Sequence, residues 1–220
     1  MSRRVGVVLS GCGVYDGAEI YESVITLLAL DRADATVICM APRVDQMHVI
    51  NHATGEVVEG EVRNVFVEAA RLARGQIRDI AEVKHGDLDA LIFPGGFGAA
   101  KNLCDFAVKG GDCSVHPEVE RLIREVHDAK KPLGFICIAP ALAARVLGKS
   151  VGVSVTIGND ADTAKAIESC GAKHVECPVQ EIAVDVANKV VTTPAYMLAG
   201  RISEAAAGIE ALVERVLSLS

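Results

Sequence analysis

Short apolar runs alternate along the chain with longer segments whose apolar residues recur every three or four positions. Residues 5–9, 36–41, 89–93 and 133–138 are runs of the first kind, and Pro94-Gly95-Gly96 stops the third of them. Their length and the breakers around them predict buried strands. Segments 18–30, 117–129, 141–147 and 202–217 have helical spacing. In 18–30, Ile20, Val24, Leu27 and Leu28 share one stripe, and in 117–129 Val119, Leu122, Ile123 and Val126 do so. Further strands are predicted at 153–157, 182–186 and 189–192, the last two joined by Ala187-Asn188, with a short helix at 163–169. Strands alternating with helices predict an α/β fold, a mostly parallel sheet covered on both faces. Residues 48–80 break the rhythm: Val49-Ile50-Asn51 and Glu56-Val57-Val58 flank Ala53-Thr54-Gly55 as a hairpin, and 64–73 adds a helix. This stretch is too short for a core of its own, so residues 1–220 are read as one domain with an insertion at about 48–80.

Composition narrows the function. Half of the 220 residues are apolar and the net charge is −7, which argues against a nucleic-acid or anionic-membrane partner. The seven cysteines, at 12, 39, 104, 113, 137, 170 and 177, form no C-x-x-C pair, so neither a zinc site nor a disulfide framework is predicted. Arg3-Arg4 followed by five apolar residues and Leu9-Ser10-Gly11-Cys12 imitates a lipoprotein signal, but a signal needs an apolar core of about 7–15 residues. These features predict reduced thiols and a cytoplasmic location.

The most informative residue is Cys137. The apolar strand Leu133-Gly134-Phe135-Ile136 leads into it, and Pro140 must lie in the first turn of the following helix. Cys137 therefore falls on a sharp strand-to-helix turn, a nucleophile elbow with its sulfur near the positive end of a helix, which favours thiolate. The alternative is an inert core cysteine. Glycines after the third strand direct the amides of Gly95 and Gly96 inward as an oxyanion hole. Glu22 stands on a largely apolar helix, where burial would raise its pKa for proton transfer; an ordinary first-turn glutamate, as Glu19 is read, is the other possibility. Gly11-x-Gly13 falls short of a dinucleotide fingerprint, because Asp16 occupies the third glycine position. His174-Val175-Glu176 has triad spacing but follows Cys137 by only 37 residues, in a surface connection ahead of Pro178, and a solvated histidine is the reading favoured over a triad member. His52 and His116 lie in loops. Cys12, at the end of the first strand, is either a turn filler or a thiol that resolves oxidised Cys137.

Three long motifs carry a resemblance: Ser10-Gly11-Cys12-Gly13-Val14-Tyr15-Asp16-Gly17, Pro94 through Leu103, and Gly134-Phe135-Ile136-Cys137-Ile138-Ala139-Pro140, with Thr192-Thr193-Pro194-Ala195-Tyr196-Met197 beside them. Over nearly its whole length the chain resembles the ElbB family, isoprenoid-biosynthesis proteins with an amidotransferase-like domain, within the PfpI and class I glutamine amidotransferase-like superfamily. The resemblance implies a flavodoxin-like three-layer sandwich, Cys137 at the elbow with Glu22 facing it, Ile138 as an accessory position, and a glyoxalase activity needing neither glutathione nor metal. Phe135 and Ala139 replace the glycines that usually flank the superfamily's elbow, and Ile157 or Gly158 stands where related deglycase-like proteins carry histidine. The predicted function is conversion of glyoxal or methylglyoxal to glycolate or lactate through a Cys137 hemithioacetal, without cofactor. The alternative is a redox-sensing or partner-binding module with little turnover. A homodimer is expected, because Val49, Ile50, Val57 and Val58 of the insertion need cover.

Overall fold

In the computed structural model, which describes residues 2–220, seven strands form the central sheet. The strands are β1 (Arg4–Val8), β2 (Thr36–Ala41), β5 (Ile77–Asp79), β6 (Ala90–Phe93), β7 (Leu133–Ile136), β10 (Ala183–Asp185) and β11 (Val190–Thr193). Their order is β5-β2-β1-β6-β7-β11-β10, and every pairing is parallel except the β10–β11 hairpin at one edge. Two ribbons stand outside it: β3 (Ile50–Asn51) with β4 (Glu56–Val57), and β8 (Ser154–Val155) with β9 (Lys173–His174). Helices α1 (Ile20–Arg32), α2 (Val65–Leu72) and α8 (Ile202–Leu219) cover one face. The other carries α3 (Phe97–Lys101), α5 (Pro117–Asp128) and α6 (Pro140–Val151), with α4 (Phe106–Lys109) and α7 (Ala161–Ser169) at its margin. This is the three-layer α/β sandwich expected from the alternating pattern.

Side-chain alternation along the strands separates the two cores. Val5, Val7 and Leu9 of the first strand region face α1 and α8, whereas Val8 joins Phe93 and Phe135 on the opposite face. Phe93 and Phe135 sit directly opposite in the β6–β7 register and stack with centroids 4.9 Å apart at 7°. In a chain with no Trp, these two buried rings form the largest apolar block beneath the elbow.

Two features differ from the sequence reading. Within 48–80 only the β3–β4 hairpin is an elaboration. The helix after it is the crossover from β2 to β5, and β5 pairs in parallel with β2 as an edge strand of the main sheet. The three charged or polar residues around Ile77 hid a strand whose neighbour covers it on one side only. Val49 and Ile50 pack on the body while Val57 is exposed, so the hairpin needs no second subunit to shelter it. The second difference is the orientation of α1. An apolar stripe ordinarily faces the core, yet Ile20, Val24 and Leu28 are 41, 48 and 41% exposed, while Glu22, Ser23 and Thr26 are turned inward. The inward hydroxyls are satisfied within the helix, Ser23 Oγ donating to the Glu19 carbonyl and Thr26 Oγ1 to that of Glu22, both at 2.7 Å.

The stacked rings make a direct test of the core. Truncation by Phe135→Ala should lower the unfolding free energy by about 3–5 kcal/mol, read from urea denaturation. The control Val62→Ala, on a side chain 70% exposed, should stay within about 0.5 kcal/mol of the parent.

Candidate active site at the sheet switch point

From β1 the chain moves outward to β2 and β5, then returns to β6 on the other side of β1. The crevice opened there, beyond the carboxyl ends of the strands, is where open α/β sheets hold ligands. Three segments converge on it: the loop from β1 into α1, the Pro94-Gly95-Gly96 turn after β6, and the elbow after β7.

Cys137 has φ +62°, a left-handed conformation that costs a side-chain-bearing residue roughly 1–3 kcal/mol. The surroundings enforce it. The Cys137 N–H donates to the Thr193 carbonyl at 2.9 Å, which extends the β7–β11 ladder by one residue, and α6 begins at Pro140 three positions later. The sulfur meets the N–H groups of Gly96 and Ile138 and lies within hydrogen-bonding reach of the Glu22 carboxyl.

Glu22 is fully buried on the first turn of α1. Its Oε2 accepts the Gly95 N–H at 2.9 Å and its Oε1 the Tyr196 N–H at 3.2 Å. Glu19 caps the same helix through a 2.6 Å bond from the Glu22 N–H, so of the two acids Glu19 has the structural role. Burial, reinforced by the neighbouring Glu19 charge, raises the Glu22 pKa to about 8. Burial also pushes the Cys137 thiol well above its ordinary value, and the Glu22 charge pushes it further. The thiolate predicted from the helix terminus is therefore not the resting form. Desolvation outweighs the two amides and the helix end, so the resting sulfur is a thiol beside a Glu22 carboxyl whose own pKa is raised. Gly95 is the reason they can be so close: a Cβ on it would lie 2.5 Å from Cys137 Cβ and 2.8 Å from Glu22 Oε2.

The predicted residues are not all placed as expected. Glu22, Cys137, Gly96 and Ile138 converge, but the Gly95 amide is committed to Glu22, so the amides available to a developing oxyanion are those of Gly96 and Ile138. Cys12 does not join them. It is absent from the lining of the cavity onto which Cys137 opens, and β6 separates the strands that precede the two cysteines. The charges around Cys12 are those of Glu68, Arg71 and Asp16. All seven cysteines are free. The histidines have structural duties: His174 Nε2 accepts the Ile157 N–H at 3.4 Å, His116 caps α5, and His52 accepts the Tyr15 N–H at 3.2 Å. Among the described residues none of them lines the cavity of about 460 Å³ onto which Cys137 opens. Sequence reasoning missed Tyr196 as the second support of Glu22. It also missed Asn102, whose side-chain amide donates to the Ser10 and Asp16 carbonyls and ties the first loop to α3. Both lie inside the quoted motifs, which was the only signal available.

The chain is 53% identical to the human glutamine amidotransferase-like class 1 domain-containing protein 3, mitochondrial, over 99% of its own length and 83% of that protein. It belongs to the glutamine amidotransferase-like class 1 domain family. Another relative, the zebrafish ES1 protein, mitochondrial, is 36% identical over 88% of the chain and 77% of that protein. No protein-family model matches the chain. Among solved structures, an isoprenoid biosynthesis protein with amidotransferase-like domain from Ehrlichia chaffeensis superposes with a TM-score of 0.92 at 36% identity, over 99% of both chains. Drosophila DJ-1beta, at 20% identity and a TM-score of 0.57 over 100% of this chain and 96% of its own, shares the fold. The names of the family members correct the cytoplasmic prediction, since the human, rat and zebrafish relatives are all named as mitochondrial. Reduced thiols did not discriminate, because they exclude only oxidising compartments.

The buried carboxyl has a signature in stability. With its pKa raised from the ordinary 4.5 to about 8, Glu22 binds more protons in the folded chain than in the unfolded one across that interval. Its contribution is fully present below about pH 4.5 and is lost as pH rises to about 8. Urea midpoints measured from pH 5 to 9 should therefore fall less steeply in Glu22→Gln than in the parent, and parallel curves would contradict the raised pKa.

Proposed function

We propose that this family member is an ElbB-type glyoxalase that converts glyoxal or methylglyoxal to the 2-hydroxy acid without glutathione, in the mitochondrion as its relatives' names indicate. The observation that carries the reading is the burial of Cys137 and Glu22 side by side at Gly95, where an added Cβ would lie 2.5 Å from Cys137 Cβ and 2.8 Å from Glu22 Oε2, with the Gly96 and Ile138 N–H groups at the sulfur. The 36% identity to the isoprenoid biosynthesis protein supports the ElbB assignment.

The steps follow from the geometry. As the Cys137 sulfur adds to the aldehyde carbon, its proton passes to Glu22, and the carbonyl oxygen becomes an oxyanion facing the two amides. Glu22 passes that proton on to the oxygen, which completes the hemithioacetal and leaves Glu22 a carboxylate. Glu22 then removes the proton from the former aldehyde carbon and returns it to the adjacent carbon through an enediol. The product is a thioester of the hydroxy acid, and water cleaves it to free acid and Cys137 thiol. Two carbons exchange oxidation levels, so no external oxidant or reductant enters. A carboxyl with a pKa near 8 is suited to give and take protons at neutral pH.

The redox-sensing alternative is less well supported. Sensor thiols are exposed and of low pKa, whereas Cys137 is buried and its pKa raised. The homodimer remains a proposal with a new location. The apolar row Ile20, Val24 and Leu28 on α1 offers a second copy more cover than the hairpin does.

Hydroxy-acid formation from glyoxal, measured without glutathione, tests the chemistry. Cys137→Ser and Glu22→Gln should each lower kcat/KM by about 10²-fold or more, and undiminished turnover in either would remove that residue from the mechanism. For assembly, light scattering should return twice the 23.1 kDa chain mass, and Val24→Glu should shift it to the monomer.

A further inference from the structure

The cavity in front of Cys137 is far larger than a two- or three-carbon aldehyde requires. Its volume is about 460 Å³, and its wall beyond the reacting atoms includes Phe97, Phe106, Ala100, Ala166 and Met197. Among the described residues its lining holds no Arg, Lys or His; its ionisable groups besides Cys137 are the carboxyls of Glu19 and Asp162 and the Tyr196 phenol. Pockets of this volume and composition are typical of ligands that bury most of an apolar body. An anionic group entering here would face two carboxyls and no cation in the lining; the Lys101 ammonium, 4.9 Å from the Phe97 ring, is held by the Tyr15 carbonyl.

We propose that the site is built for a neutral carbonyl compound bearing an apolar substituent of about aryl size, and that it discriminates against substrates carrying a negative charge. The inference rests on the glyoxalase reading for the reacting end, a 2-oxoaldehyde, and on the cavity alone for the substituent. The carbonyl occupies the Cys137–Glu22 end against the Gly96 and Ile138 amides, and the substituent lies between Phe97 on α3 and Ala166 on α7. The same charge pattern excludes glutamine at this site, because its α-carboxylate would have no partner. It also favours product release, since the 2-hydroxy acid acquires the negative charge that the lining lacks a group to hold.

Two measurements separate the inference from the reading beneath it. Ligand-observed NMR titration of the whole chain with acetophenone, acetone and benzoate reads the cavity without any turnover. Acetophenone should bind at least about tenfold more tightly than acetone, the order expected for burying one ring, and more tightly than benzoate by a similar factor. Ala166→Phe, a half-buried site at the cavity margin, should abolish that preference while leaving the unfolding curve unchanged. In the second measurement, kcat/KM for phenylglyoxal should exceed that for glyoxal about tenfold or more in the parent, and Ala166→Phe should reduce the phenylglyoxal value selectively. Equal affinity for acetophenone and acetone, or benzoate binding as tightly as acetophenone, would overturn the substrate class. Selective acetophenone binding with no turnover of any aldehyde would overturn the glyoxalase reading and leave the cavity's preference standing.

Discussion

A carboxyl and a thiol buried side by side away from water constrain everything around them. Neither ionises easily alone, so Glu22 and Cys137 persist as a pair only because backbone N–H groups complete their hydrogen bonds. Gly95 and Tyr196 supply those of Glu22, and Gly96 and Ile138 those of the sulfur. The four donors come from three turns. The β6 turn must bring its backbone against Cβ of Cys137, which no residue but glycine permits at Gly95. The elbow must hold a positive φ, and the segment after β11 must fold back sharply enough to aim the Tyr196 amide, with Ala195 itself at φ +42°. Local strain at two non-glycine positions is thus tied to one electrostatic requirement.

Much of this was legible in the order of residues. The strand-to-helix turn at Cys137 followed from an apolar run and Pro140, because proline allows so few places in a helix. The three-layer arrangement followed from alternating periods, and α1, α2, α5, α7 and α8 were found within two residues of their bounds, whereas α6 was read four residues short and the short α3 and α4 were not predicted. β5 was not legible: an edge strand of three residues, Ile77–Asp79, carries little pattern, since half its surroundings are solvent. The outward stripe of α1 misled for a related reason. Periodicity reports that a face is apolar, not what covers it, and here the inward face is occupied by a carboxyl and two hydroxyls, each satisfied by backbone groups.

At the site itself, residue types were readable and directions were not. Glycine at 95 and 96 marked a turn able to point amides inward, but which amide meets Glu22 and which the sulfur depends on one peptide's rotation. The ionisation state of Cys137 was likewise beyond a sequence argument. The helix end and the burial pull in opposite directions, and their balance is set by the depth of the crevice. Chain order also does not reveal that β6 is inserted between the strands that lead to Cys12 and Cys137, both of which are free thiols.

The inverted face of α1 gives the helix two independent duties on opposite sides. One turn carries Glu22 into the crevice, and the same turn presents Ile20 and Val24 outward. Successive residues are separated by about 100° around the axis, so the two duties are locked in a single rotational setting. Insertion of one residue between Glu19 and Glu22 would carry the carboxyl away from Cys137 and bring an apolar side chain to the buried proton. A length change after Arg32, where Asp34 already turns the chain at φ +53°, would leave both faces untouched. Tolerance to insertion should therefore be sharply polarised along this one helix, with its first turn behaving as part of the candidate site and its last as ordinary surface.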